Sequence, residues 1–116
     1  MLKLYRFYED FGRHGEIEGL FIEESDFVDK LVKMGVSVTY YDVLGKHSEV
    51  TITFDKDTFA VVLDDSGVID ILVKHVGNSL SGINTVDKYV EDLEETCDYD
   101  SNAKIIFDEL KGLGFI

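Results

Sequence analysis

The chain has 116 residues, of which 45% are hydrophobic and 30% charged, and it contains eight phenylalanines and six tyrosines. This length is typical of one domain, predicted over residues 1–116, and this composition excludes an intrinsically disordered or low-complexity protein. The net charge of −13 repels nucleic acid phosphates and anionic lipids, so neither nucleic acid nor a membrane is an expected direct partner.

The N-terminal third predicts two strands and a helix. Residues 2–8 and 17–22 alternate aliphatic, aromatic and charged side chains, which is typical of a hairpin whose connection contains glycine. Residues 26–34 carry apolar side chains at helical spacing, with Ser25 as a candidate N-cap and Gly35 just beyond the end. This segment is predicted to be a short amphipathic helix.

Three further strands are predicted over residues 36–43, 49–54 and 58–63, which are rich in Val, Thr, Tyr and Phe. Turn-forming clusters separate these segments, and their succession along the chain favours a meander. Residues 68–76 fit either a helix or a strand, because a short apolar run carries both patterns. We predict a helix there.

Helix signals dominate the C-terminal part. Thr85 can cap a helix over residues 86–97, and Asp100 or Ser101 can cap another that closes at Gly112. The predicted fold class is therefore α+β: a mostly antiparallel sheet of about five strands, with three to four helices mainly from the C-terminal half, packed on one face. The predicted core takes apolar residues from every element: Leu4, Phe21, Val28, Leu31, Val38, Ile52, Val61, Leu72, Val90, Leu93, Ile106 and Leu110.

The cellular setting follows from three features of the chain. No apolar run approaches the roughly 18 residues that a membrane span needs, and the first residues alternate instead of forming a signal-peptide core. A cytoplasmic location is therefore expected. The single cysteine, Cys97, excludes an intrachain disulfide and a thiolate metal cluster, and it is expected to be a small helix residue. No cofactor is expected.

A short motif occurs twice in the first half of the chain. Residues 7–17 and 40–50 are identical at four of eleven positions, and six of the other seven pairs are chemically similar. Each copy contains glycine, then arginine or lysine, histidine, glycine or serine, and glutamate, between two predicted strands. The candidate ligand-binding residues in the two copies are Arg13, His14, Glu16, Lys46, His47 and Glu49.

Three interpretations of these loops compete. The plain one is that turns collect glycine and charged residues. The second places both tips at one end of the sheet, where the two fixed cations and the two histidines form a patch that holds an anion or a nucleotide. The third takes each His–Glu pair as two metal ligands, although HExxH and the zinc-deaminase context are missing; no metal site is assigned.

Signatures of common enzyme classes are missing from the sequence. There is no G-x-S-x-G nucleophile elbow, no Walker A loop and no G-x-G-x-x-G dinucleotide loop. No catalytic residue is therefore assigned, and an enzyme is the less favoured class of protein.

Seven acidic residues and one lysine lie between Asp87 and Asp100. Because Tyr89, Val90 and Leu93 form the apolar side of the predicted helix, most of these carboxylates are expected to face solvent. The plain explanation is a solubilising surface, and the sharper one is a docking surface for a basic protein. The candidate partner-binding acidic face consists of Asp87, Glu91, Asp92, Glu94 and Glu95.

Two sequence blocks carry a resemblance: FYEDFGRHGEIEGLF at residues 7–21 and VLGKHSEV at residues 43–50. On these blocks the chain resembles a set of small uncharacterised proteins of bacteria and their phages. The resemblance carries over no activity, ligand or site, but small acidic phage-borne proteins often bind and block a host protein.

Two functional hypotheses from different classes follow. We predict a small acidic cytosolic protein that acts by protein–protein interaction on a host or cellular protein with a basic surface. In its sharpest form it is a phage or mobile-element inhibitor of a host factor. The alternative is a small domain built on the paired loops that binds an anion or nucleotide, or performs metal-dependent hydrolysis. The sequence leaves the oligomeric state open.

Overall fold

The fold combines six strands and four helices, and it confirms the α+β class with antiparallel strand pairing. The computed structural model describes residues 1–116, which divide into two compact units, Met1–Thr85 and Val86–Ile116. The expectation of one domain over residues 1–116 stays a prediction. No helix is long and apolar enough to cross a membrane.

The first unit holds all six strands. In chain order it contains β1 (Leu2–Asp10), one turn of 3₁₀ helix (Gly12–His14), β2 (Glu16–Glu24), α1 (Ser25–Met34), β3 (Ser37–Tyr41), β4 (Glu49–Thr53), β5 (Phe59–Leu63), α2 (Ser66–His75) and β6 (Ser79–Gly82). Helix α3 (Thr85–Thr96) begins at the last residue of this unit, and α4 (Ser101–Gly112) follows it.

The strands form two separate sheets. The larger sheet has the order β5-β1-β2-β6, and β3 pairs with β4 in a two-stranded sheet. The predicted meander is wrong, because β5 leaves β4 and pairs with β1, where Phe59 lies opposite Phe7. Strand β6 was not predicted, because the sequence Ser-Leu-Ser-Gly lacks the β-branched and aromatic residues that mark strands.

One face of the larger sheet packs against α2. Leu4 of β1 and Ile22 of β2 form a buried cluster with Ile69 of α2. The helix itself, predicted over residues 68–76, is confirmed over Ser66–His75. It begins after Asp65, whose carboxylate accepts a hydrogen bond from the Val68 N–H at 3.1 Å.

The opposite face carries an aromatic cluster. Tyr5 and Phe21 lie there because side chains alternate along a strand, and both contact the ring of Phe59. Phe54, which follows β4, packs edge-on against Phe59 with 5.0 Å between ring centroids. Val28 and Val32 of α1 line a groove together with Tyr5 and Phe59. The expectation that all helices pack on one face is therefore wrong.

Helix ends follow the local sequence except at the starts of α1 and α3. Gly35 ends α1 in the left-handed conformation (φ 62°), and the Asp100 carboxylate caps α4 through the N–H groups of Asn102 and Ala103. Thr85, expected as the cap of a helix over residues 86–97, is the first residue of α3. Ser25, expected as the cap of α1, is likewise the first helical residue. Its neighbour Glu24 occupies the cap position without a side-chain capping bond.

Most of the predicted core is buried, with one clear error. Leu72, Val90 and Ile106 are partly buried, and Val61 is 50% exposed. Val61 lies on β5, which has a neighbouring strand on one side only. The remaining predicted core residues are buried: Leu4, Phe21, Val28, Leu31, Val38, Ile52, Leu93 and Leu110.

Candidate functional site

The first copy of the motif forms the tip of the β1–β2 hairpin. The Asp10 carboxylate accepts a hydrogen bond from the Gly12 N–H at 2.7 Å, and the Gly15 N–H donates to the Gly12 carbonyl at 3.1 Å. Gly12 and Gly15 have φ values of 66° and 114°, which glycine adopts without steric cost. Two hydrogen bonds and two glycine conformations therefore fix this tip.

The second copy forms the tip of the β3–β4 hairpin with one matching bond. The Ser48 N–H donates to the Gly45 carbonyl at 3.1 Å, which is the bond that Gly15 and Gly12 make at the aligned positions. Here Asp42 fixes the loop, since its carboxylate accepts from the His47 N–H at 2.6 Å. The duplicated sequence therefore forms a related turn in each hairpin.

The two tips meet, although they belong to different sheets. Leu44 of the second tip packs over Gly15 of the first, and an open cavity of about 420 Å³ lies between the tips. We call this space the inter-hairpin cavity. Its lining residues are Phe11, His14, Leu44, Ser48, Glu49, Val50 and Thr51.

Only two of the six candidate ligand-binding residues line the inter-hairpin cavity. His14 comes from the first copy and Glu49 from the second. Arg13, Lys46 and His47 are exposed and lie outside the lining. The cavity therefore offers one imidazole and one carboxylate in place of the expected cluster of cations.

Glu16, the last of the six, has a partner within the first hairpin. Its carboxylate accepts a hydrogen bond from the Tyr8 hydroxyl at 2.6 Å. This hydrogen bond to a carboxylate is the main reason that the pKa of Tyr8 rises to about 12. The aligned Glu49 lines the cavity instead, so the two glutamates have different roles.

The difference arises from the lengths of the two loops. In the first hairpin Asp10 pairs with Glu16, whereas in the second Tyr41 pairs with Glu49. The second loop is therefore two residues longer, so Glu16 and Glu49 each begin a strand but lie opposite residues that are not equivalent in the motif, Asp10 and Tyr41. Sequence alignment alone carries no information on this offset.

The apolar part of the lining was not anticipated as part of a site. Phe11, Leu44 and Val50 supply it, and Phe11 and Leu44 occupy aligned positions of the duplicated motif. This shared apolar position is the sequence feature from which the apolar lining could have been predicted. The hydroxyls already have partners: Ser48 Oγ accepts from the Leu44 N–H, and Thr51 bonds Thr39 across the β3–β4 pair.

A metal site is not formed by these residues. No group of three or more His, Cys, Asp or Glu side chains is placed to hold a metal ion. The arrangement of two histidines with two glutamates, considered from their i, i+2 spacing, is not assembled, because His47 and Glu16 lie outside the cavity that His14 and Glu49 line.

The acidic face of α3 belongs to a separate part of the chain. Glu91, Glu94 and Glu95 are exposed, as expected from the helical pattern. Asp92 is partly buried and forms an ion pair of 2.9 Å with Lys88. Partial burial and, secondarily, repulsion from Glu91 raise the pKa of Asp87. Like charges therefore remain close together along this helix.

Comparisons with known proteins do not assign a family to this chain. No family model, no curated protein and no solved structure matches it. Function is therefore inferred from the geometry of the residues, and the resemblance to small bacterial and phage proteins stays an expectation.

Proposed function

We propose that the protein is a ligand-binding domain, and that its site is the inter-hairpin cavity. The observation that carries the proposal is that both copies of the duplicated motif, on separate sheets, line one concave site. A concave site with apolar walls and a few convergent polar groups is the usual form of a small-molecule site. A volume of about 420 Å³ is in the ordinary range for such sites.

The lining favours a ligand with a flat apolar body and hydrogen-bond donors. Phe11, Leu44 and Val50 would contact the body through apolar surface. The Glu49 carboxylate accepts hydrogen bonds, and the His14 imidazole can donate or accept. A nucleoside has this combination of a flat ring and polar edges, and we take it as the ligand class.

A phosphate on such a ligand would depend on residues outside the cavity lining. Arg13 is adjacent to His14 in the chain, and Lys46 lies in the same tip as Ser48. Both cations are exposed and carry fixed positive charge on a strongly acidic protein. These two cations can therefore strengthen the binding of a nucleotide only if its phosphate projects out of the cavity. Free phosphate has no apolar body that the cavity could bury.

Calorimetric titration with adenosine, adenosine monophosphate and inorganic phosphate tests this proposal. We expect binding of the first two and none of phosphate alone. The Glu49→Gln and His14→Ala variants should each weaken binding about tenfold, the effect of losing one useful hydrogen bond. His75→Ala, which alters an exposed histidine of α2, is the matched control. Binding of phosphate alone, or equal effects of His14→Ala and His75→Ala, would contradict the proposal.

A second candidate function is supported by the acidic face of α3. The exposed Glu91, Glu94 and Glu95 provide a negative surface of the kind that docks a basic protein partner. Inhibition of a host factor by a phage or mobile-element protein is the sharpest form of this proposal, and it rests on the resemblance alone. Such docking leaves the ligand-binding proposal unaffected.

An octa-arginine peptide is a suitable cationic probe for this second function. Glu91→Lys with Glu95→Lys should abolish the shifts that the peptide causes in α3 amide resonances, and added salt should weaken binding steeply. The matched control, Asp26→Lys with Asp70→Lys, changes the net charge equally on α1 and α2. If the control variant loses binding to the same extent, only net charge matters and the acidic face is not a docking surface.

A further inference from the structure

Strand β5 forms an open edge of the larger sheet. It pairs with β1 on one side, and the sheet order places no strand on the other. Its five residues, Phe-Ala-Val-Val-Leu, carry no charge. Val61 and Val62 are 50% and 55% exposed. An edge strand with unpaired backbone groups and apolar side chains is a template for a further strand.

The pairing of β5 contains an irregularity at these two valines. Leu4 lies opposite Leu63, but the next residue, Tyr5, lies opposite Val61, so Val62 is inserted without a partner on β1. Such a bulge turns a side chain out of the regular alternation. Both valines are consequently presented to solvent, and neither charge nor proline within the strand protects the edge.

A groove adjoins this edge on the aromatic face of the sheet. It has a volume of about 240 Å³ and an apolar part formed by Tyr5, Val28, Val32, Phe59 and Val61. We call it the β5 groove. Asp29 and Asp55 also line it, as do Lys3 and Lys56. Strand addition takes its affinity from main-chain hydrogen bonds and its specificity from pockets of this kind for alternate side chains.

The charged residues near β5 indicate which charge an added strand would carry. Asp55 and Asp57 precede the strand, Asp64 and Asp65 follow it, and all four are exposed. With Asp29 in the β5 groove these make five acidic residues, against the two cations Lys3 and Lys56. A second copy of this chain would bring the same acids and a net charge of −13, which disfavours pairing of β5 with itself. A strand with lysine or arginine side chains would be attracted instead.

We propose that β5 accepts an extended segment of a basic partner protein as an additional strand. An apolar side chain of that segment enters the β5 groove, and basic side chains face the aspartates at the two ends of β5. This inference depends on the edge strand, its groove and the flanking aspartates, and it is independent of ligand binding in the inter-hairpin cavity.

Two synthetic peptides test the proposal: acetyl-Lys-Val-Lys-Val-Lys-Val-Lys-amide and its counterpart with glutamate in place of lysine. We expect the basic peptide to slow hydrogen exchange of β5 amides at least tenfold and to shift the Val61 methyl resonances. The acidic peptide should do neither. Val61→Lys should abolish binding of the basic peptide, whereas Val68→Lys, which alters an exposed residue of α2, should leave it intact.

The remaining outcomes also decide the matter. Val62→Lys serves as a second edge variant if Val61→Lys fails to fold, and it should likewise abolish binding. Equal binding of both peptides, or protection confined to β6, would overturn the proposal. Sedimentation that detects a dimer abolished by Val61→Lys would also overturn it, because the occupant of the edge would then be a second copy of this chain.

Discussion

The side chain of Leu44 packs over the backbone of Gly15: a Cβ atom added at Gly15 would lie 3.2 Å from Leu44 Cδ2. This contact joins the tips of two hairpins that belong to separate sheets. Leu44 also lines the inter-hairpin cavity, so the contact determines how closely the two walls of the cavity approach. The absence of a side chain at residue 15 is therefore part of the geometry of the site.

The first prediction is that Gly15→Ala destabilises the protein more than Gly45→Ala does. Both glycines have similar positive φ values, 114° and 118°, so each substitution carries a backbone cost of about 1–2 kcal/mol. Only Gly15 has Leu44 close by, whereas nothing lies within 4 Å of a Cβ added at Gly45. Urea unfolding of both variants measures the difference. Equal losses would remove the proposed role of the Leu44–Gly15 contact.

The second prediction concerns Gly19, where β2 approaches the end of β6. A Cβ atom at Gly19 would lie 1.7 Å from the Ile83 carbonyl oxygen, so the two segments must separate to accept alanine. We expect Gly19→Ala to cost about 3 kcal/mol or more, the upper range for overpacking. Gly112→Ala, in open space at the end of α4, should be neutral or mildly stabilising. If thermal unfolding shows Gly112→Ala to be the more destabilising substitution, the close approach of β2 to the end of β6 is assigned incorrectly.

The third prediction compares two positions on α4. Leu110 is fully buried, so Leu110→Ala should cost about 2–5 kcal/mol by leaving a cavity. Ile105 is 65% exposed, so Ile105→Ala should change the free energy of unfolding by less than about 0.5 kcal/mol. Chemical denaturation of the two variants measures both effects. A large loss in Ile105→Ala would mean that the buried face of α4 is assigned incorrectly.

The fourth prediction concerns pH and the Tyr8–Glu16 hydrogen bond. The pKa of Tyr8 is about 12 in the folded protein, against about 10 for an unperturbed tyrosine. Because the folded value is the higher one, this bond stabilises the fold below pH 10, and the contribution is lost between about pH 10 and 12. Carbon-13 NMR of the phenol carbons follows the ionisation directly.

Glu16→Gln provides the matched comparison for that titration. Removing the carboxylate should lower the pKa of Tyr8 toward 10, because a neutral amide favours the protonated phenol less. The pKa of Tyr5 is also about 12, but burial is its main cause and Glu16 is not among the charges that raise it. An unchanged pKa of Tyr8, or an equal fall in the pKa of Tyr5, would show that the hydrogen bond to Glu16 is not what raises the pKa of Tyr8.

Local sequence patterns predicted where helices and strands lie better than they predicted which strands pair with each other. Gly35 and Asp100 mark helix ends through backbone geometry that a few neighbouring residues determine, and the structure confirms both signals. The partner of β5 is set by a cluster of aromatic rings around Phe59, whose members come from β1, β2 and the end of β4. No local pattern encodes such a contact.

The candidate site was only partly predictable for the same reason. Duplication of the motif pointed to the two hairpin tips, and the tips do meet around a cavity. Which side chains line that cavity depends on the loop lengths, so Glu49 lines it while Glu16 binds Tyr8. The expected cationic cluster of Arg13, Lys46 and the two histidines stays a prediction for the surface around the cavity.

Ligand binding between the hairpin tips is tested most directly by methyl NMR of the wild-type protein during titration with adenosine. The methyl resonances of Leu44 and Val50, on the cavity wall, should shift progressively and saturate. Those of the exposed Val62 and Val68, on β5 and α2, should stay in place. Leu44 and Val50 resonances that do not respond, or that move no more than those of Val62 and Val68, would contradict the proposed site.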